Sequence, residues 1–172
     1  MSESVTVSDD EQLVDVDGWP KKRDGEVVLT GPADLLLWRQ VHEDHVSKDG
    51  IVDNIAFAEV VGMAAMRGTP NARDEVSMSR GDRLSAQEAF EDWLGRGGSS
   101  YGTFGITIDE VIGSECRTID DSARLDSESA VPGHVFVDLR KHPESPKHVK
   151  RRIRSMLAAY ATFRQRQYPP VS

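Results

Sequence analysis

Apolar residues recur at helical spacing in two stretches of the chain and at alternate positions in two others. Ser85-Ala86-Gln87-Glu88 reads as a capping box, in which the Ser85 hydroxyl accepts from the Glu88 amide and the Glu88 carboxylate accepts from the Ser85 amide. Ala89, Phe90, Trp93 and Leu94 follow as an apolar stripe, and Gly95, Gly97 and Gly98 stop the run, so a helix is predicted with Trp93 in the core. Near the C-terminus Val149, Ile153, Met156, Leu157 and Tyr160 share one helical face. Ser145 and Pro146 suit the start of that helix, which should run to about Gln165. The period-two stretches are Phe104, Ile106, Ile108 and, after Pro132-Gly133, Val135, Val137, Leu139; each predicts a half-buried strand lining the same core.

Between these elements the pattern is weaker. Glu26 to Thr30 is a short β-branched run closed by Gly31-Pro32, and Leu35 to Trp38 reads as a buried strand or the start of a short helix. Lys48-Asp49-Gly50 is a turn before the apolar Ile51 to Phe57, and Gly62 to Asp74 reads as a loop. Ser114 to Ala130 is rich in Asp and Ser and is expected to be a long surface loop. Residues 1–25 are acidic and end in Gly18, Pro20 and Gly25, which suggests a loosely held arm. The expected architecture is one α+β domain over residues 26–168, with a small mixed or antiparallel sheet, a capped central helix and a basic amphipathic C-terminal helix.

Composition agrees with that size. A chain of 172 residues, 38% hydrophobic and 29% charged, fits one domain with one core. Cys116 is the single cysteine, so neither an internal disulfide nor a multi-cysteine zinc site can form, as suits a reducing compartment. The N-terminus has no signal-like apolar run and no segment reaches the ~18 apolar residues of a membrane span, so a cytoplasmic protein without a membrane partner is expected.

Four residues stand out as candidate catalytic groups: Arg39, His42, His134 and Asp138. Arg39 and His42 lie in Arg39-Gln40-Val41-His42-Glu43-Asp44-His45, where two imidazoles three apart can share a helical face; HxxH still lacks a third metal ligand, so no metal is expected. His134 and Asp138 lie four apart on a strand, hence on one face, with His142 shortly after. On a cleft, such an imidazole serves as general base or ligand; otherwise this is the polar outer face of an ordinary strand. Arg80-Gly81-Asp82 reads as a turn with a local ion pair, and the glycines from 95 to 105 match neither a P-loop nor a dinucleotide fingerprint. No cofactor is expected.

Charge is distributed unevenly. The chain carries a net charge of −8, yet residues 140–166 hold nine basic residues against the single acid Glu144. Lys150, Arg151 and Arg154 are therefore candidate partner-binding residues, unless the helix lies over acids of its own chain. The acidic remainder disfavours nucleic acid.

Leu37-Trp38-Arg39-Gln40-Val41-His42, Ala56-Phe57, Val76-Ser77-Met78-Ser79-Arg80-Gly81-Asp82 and Ser85-Ala86 together resemble a group of small uncharacterised bacterial proteins, with the likeness extending over residues 35–140. The resemblance implies a bacterial single-domain protein and carries no activity with it. The order of elements also resembles ADP-ribosyltransferase-like folds, in which Arg39, His42 and Ser77 would hold a nicotinamide dinucleotide, although no motif supplies the glutamate. The leading expectation is a module that binds another protein or regulates it; the alternatives are a small enzyme using Arg39, His42, His134 and Asp138, or a nucleic-acid binder using the basic helix.

Overall fold

The computed structural model describes residues 14–58, 74–123, 133–141 and 147–171. Six strands, β1 (Val27–Leu29), β2 (Leu36–Val41), β3 (Glu75–Arg80), β4 (Gly102–Thr107), β5 (Arg117–Asp120) and β6 (His134–Asp138), form a sheet in the order β1-β5-β6-β3-β2-β4. Every neighbouring pair is antiparallel. Three helices accompany it: α1 (Ala86–Gly95), α2 (Ile108–Gly113) and α3 (Lys147–Arg164), with short 3-10 turns at Glu43–His45 and Asn54–Phe57. The fold is α+β, with the capped helix and the basic C-terminal helix that the sequence predicts.

Alternation along the strands divides the sheet into two faces. On the first lie Leu37, Val41, Val76, Met78, Phe104, Ile106, Val135 and Val137, in one apolar cluster with Ile153, Leu157, Ala158 and Ala161 of α3 and with Ala56 and Phe57. Fully burying a side chain such as Leu157 or Phe104 contributes about 1.5–3 kcal/mol, so this cluster dominates the fold. The second face carries Trp38, Gln40, Glu75, Ser77, Ser79, Thr103, Arg117, Ile119, His134, Phe136 and Asp138. α1 covers its β2–β4 side. Trp38 crosses the bare backbone of Gly105, where an added Cβ would meet the ring at 2.7 Å, and its indole N–H donates to the Leu84 carbonyl at 2.8 Å.

Several expectations change. Ile108 does not continue β4; Thr107 and Glu110 form a second capping box, so the chain turns into α2 there. Residues 114–123, expected as surface loop, contain β5, because Thr118 and Ile119 are buried and Arg117 is paired. Residues 75–80, read only as the approach to a turn, are the central strand β3, while Arg80 and Asp82 do make the local ion pair, at 2.6 Å. Trp93 is only partly buried: it folds onto Gly98 and donates to the Ser99 carbonyl at 2.9 Å, leaving Ala89 as the buried residue of α1. Of the expected N-terminal arm, residues 14–25 are described and lie against β5, with Arg117 stacked over Trp19 and donating to the Pro20 carbonyl. The 62–73 part of the expected loop, His142, Ser145 and Pro146 fall outside the described residues.

Candidate functional site

Two places gather chemically capable side chains, one on each side of the sheet. On the α3 side, β2 ends at Val41, and His42 caps the turn that follows by accepting from the Asp44 amide at 3.2 Å. Asp53 caps the second turn in the same way, accepting from Ile55. Between the segment 44–54 and α3 lies an open groove of about 810 Å³, lined among others by His45, Val46, Ile51, Ala159, Thr162 and Phe163. The Thr162 hydroxyl accepts from the Val52 amide at 2.9 Å and ties the two walls together. Phe163 is 87% exposed and Ile51 is 56% exposed. Asp44 and Asp53 line the opposite lip, and with Glu43 and Asp49 of the same segment they are all exposed, against the lone base Lys48.

His45 points into this groove with its ring 5.8 Å from that of His42. Burial, His42 and Arg39 all push its pKa down, and outweigh the opposite pull of Asp44 and Asp53. The lip therefore keeps its negative charge uncompensated by His45 at neutral pH.

On the other side, at the end where β5 stops and β6 begins, His134 Nδ1 lies 2.6 Å from Asp121 Oδ1, with side chains only 12% and 8% exposed. A carboxylate only accepts, so Nδ1 donates to Asp121, and in the neutral ring Nε2 then offers a lone pair. Nε2 is shielded from solvent and has no hydrogen-bond partner. Such an unmet buried acceptor costs roughly 1–3 kcal/mol, which marks the position as one a donor would fill. Next to Asp121 in the chain but on the opposite face, Asp120 accepts from Arg80 at 2.7 Å and from Ser122. Burial alone would raise the Asp120 pKa, but the bonds from Ser122 and Arg80 hold it below the usual carboxylate range.

The sequence-predicted residues occupy different places. Arg39 projects to the α3 side, donating to the carbonyls of Ala56 and Ser77 at 2.8 Å each, so it braces the second 3-10 turn against β3. His42 lies beyond the end of β2, four residues along the sheet and two strands across from His134; strand spacings make that on the order of 15 Å. Asp138 does share a face with His134, but that face is not open there. Asp138 is fully buried, accepting from Arg117 at 2.9 Å and from Arg140 at 2.9 Å, while Arg140 and Arg23 also hold Glu75. Burial works against its charge, yet the bonds from Arg140 and Arg117 keep its pKa low. Arg39, His42, His134 and Asp138 thus do not gather into one concave site.

The basic helix faces acids of its own chain. Lys150 and Arg154 both reach Asp74, Arg152 reaches Glu115, and Arg164 forks onto Glu110 at 2.8 and 2.9 Å. Arg151 is exposed. Cys116 offers no nucleophile, since burial pushes its thiol up to about 12. No group of metal-holding side chains occurs among the described residues, and none of their helices is long and apolar enough to cross a membrane. Sequence reasoning misses Asp121, Asp120 and Ser79: the first two lie in a stretch whose composition predicts a loop, and only the strand register puts Ser79 opposite His134.

Comparison of the chain with protein-family models, with curated proteins and with solved structures finds no match.

Proposed function

We propose that this protein is a binding module that holds a basic, amphipathic segment of another protein in the groove between residues 43–54 and α3. The observation that carries this reading is Phe163, an aromatic side chain 87% exposed beside an acidic lip. An exposed aromatic at the edge of a concave, partly apolar surface is the composition of a binding hot spot. The four acids opposite it favour a partner bearing Lys or Arg on one side and apolar residues on the other. Dispersal of Arg39, His42, His134 and Asp138 favours this reading over an enzyme built from those four residues. The engagement of Lys150, Arg152, Arg154 and Arg164 within the chain, together with the net charge of −8, weighs against nucleic acid.

Fluorescence anisotropy with a synthetic Lys/Leu amphipathic helix, and with a scrambled peptide of the same charge, tests the proposal. Binding of the amphipathic peptide at least tenfold tighter than the scrambled one is expected, weakening with salt and falling at least tenfold in Phe163→Asp and in Asp44→Lys. Equal affinity for the two peptides, or for the wild type and Phe163→Asp, refutes it.

A further inference from the structure

The geometry points to a second, chemically distinct site on the sheet face away from α3: Ser79, His134 and Asp121 as nucleophile, base and orienting carboxylate for cleaving a short-chain carboxylic ester. Three adjacent strands place one row of side chains there, Trp38 of β2, Ser79 of β3 and His134 of β6, as directly paired residues. Such cross-strand partners on one face have Cβ atoms roughly 5 Å apart, which puts Ser79 and His134 side by side, with the hydroxyl and Nε2 not bonded to each other in the resting structure. Ser79 is half-buried, and no hydrogen bond engages its hydroxyl among the described residues. His134 has the complementary deficit, a shielded Nε2 without a donor, while its Nδ1 is fixed on Asp121 at 2.6 Å. A nucleophile beside a base, with the base held in one tautomer by an acid, is the arrangement that activates a hydroxyl.

The surroundings supply the remaining parts. Trp38, pinned by its bond to the Leu84 carbonyl and laid over Gly105, closes the β4 end of that row. Arg80 is taken up by Asp82 and Asp120, whereas Arg83 is exposed and has its Cβ where an added Cβ of Gly133, the residue before His134, would meet it at 2.8 Å. Arg83 is thus the cation near enough to meet charge developing on a carbonyl oxygen. In the first step Ser79 Oγ bonds to the carbonyl carbon and its proton passes to His134 Nε2. The imidazolium, held by Asp121, returns that proton to the departing alkoxide, which leaves as the alcohol. Water then attacks the acyl-serine, its proton again passing through His134, and the carboxylic acid is released with Ser79 restored. Ser79 and His134 are the catalytic residues here, and Asp121 is a positioning residue.

The test uses the full chain with p-nitrophenyl acetate and with a fluorophosphonate probe. One phosphonyl group per chain is expected, located on Ser79 by peptide mass mapping. Ser79→Ala should abolish labelling, and His134→Gln should lower ester cleavage about 10²–10⁴-fold. Asp121→Asn should lower kcat more than tenfold with KM little changed and should also shift the pH profile of kcat/KM, a shift that loss of folded protein does not produce. Ser79→Ala removes a single oxygen atom, and an unchanged melting temperature certifies its fold. No labelling, labelling at a different serine, or wild-type cleavage by Ser79→Ala overturns the assignment.

Discussion

On one side of the sheet α3 joins Val76, Phe104 and Ile106 in a cluster made of aliphatic and aromatic side chains, and on the other, beside β5 and β6, Arg23 and Arg140 close over Phe136 and, with Arg117, hold Glu26, Glu75 and Asp138. Both sides exclude water from fully buried residues: Leu157 and Asp138 are each at 0% exposure. The physics of the two closures differs. Apolar burial is non-directional, so a lost contact removes area and leaves a cavity, at a cost in proportion to the volume removed. Ionic closure is directional, so the loss of one partner strands the others without water or counter-charge.

The largest effect is therefore expected at Asp138. Asp138→Ala should destabilise by about 3–5 kcal/mol in chemical denaturation, because Arg117 and Arg140 lose the carboxylate between them. A loss below about 1 kcal/mol would mean that water already solvates those guanidinium groups. Leu157→Ala, on the apolar side, should cost about 3 kcal/mol through transfer and cavity terms. A clearly larger loss at Leu157 than at Asp138 would reverse the comparison.

Smaller effects belong to α1, at the margin of both closures. Trp93 packs on its own C-terminal loop, so Trp93→Ala should cost about 1–2 kcal/mol, less than the ~3 kcal/mol or more of a core tryptophan. Ser85→Ala should cost about 1 kcal/mol by removing the cap on Glu88. Equal and negligible losses at both positions would mean that α1 contributes little to the stability of the fold.

Acid resolves the two sides in different pH windows. The folded state lowers the pKa of Asp138, so the unfolded chain binds that proton more readily. Its contribution is complete above the ordinary carboxylate range near 4 and is lost as pH falls below it. His45 on the groove side is also lowered, and for a base this means that the folded state favours the neutral ring. Its contribution is complete above about 6.5 and declines as pH falls through the window below that value. Denaturation midpoints measured from pH 8 to 3 should show a shallow decline below 6.5 that His45→Gln removes, then a steeper one below 4. A midpoint flat from 8 to 4.5 in the wild type would remove His45 from this account.

Much of the fold was legible because local rules wrote it twice. Ser85 and Glu88 declared α1, and the stripe from Val149 to Tyr160 declared α3. Thr107-Ile108-Asp109-Glu110 carries the same hydroxyl-to-glutamate signature and declares α2. There the period-two run through Ile108 competed with the cap, and the cap won because it satisfies two backbone amides. β5 was hidden by its composition: Arg117, Thr118, Asp120 and Asp121 look like a loop until their partners Asp138, Arg80 and His134 are known.

The candidate sites divide along the same line. By itself the sequence determined the fold class, the capped helix, the amphipathic C-terminal helix and the interest of His134, since each depends on neighbours within about four residues. Only the tertiary structure decided that Arg39 braces a turn, that Asp138 is a buried counter-ion, that His134 pairs with Asp121 across thirteen residues of chain, and that Ser79 stands opposite it. It also decided that Phe163 stays outside the core, beside four acids of a segment more than a hundred residues earlier. The reason is physical: polar side chains take their roles from partners brought by strand register, and a one-residue change of register turns every one of them to the opposite face.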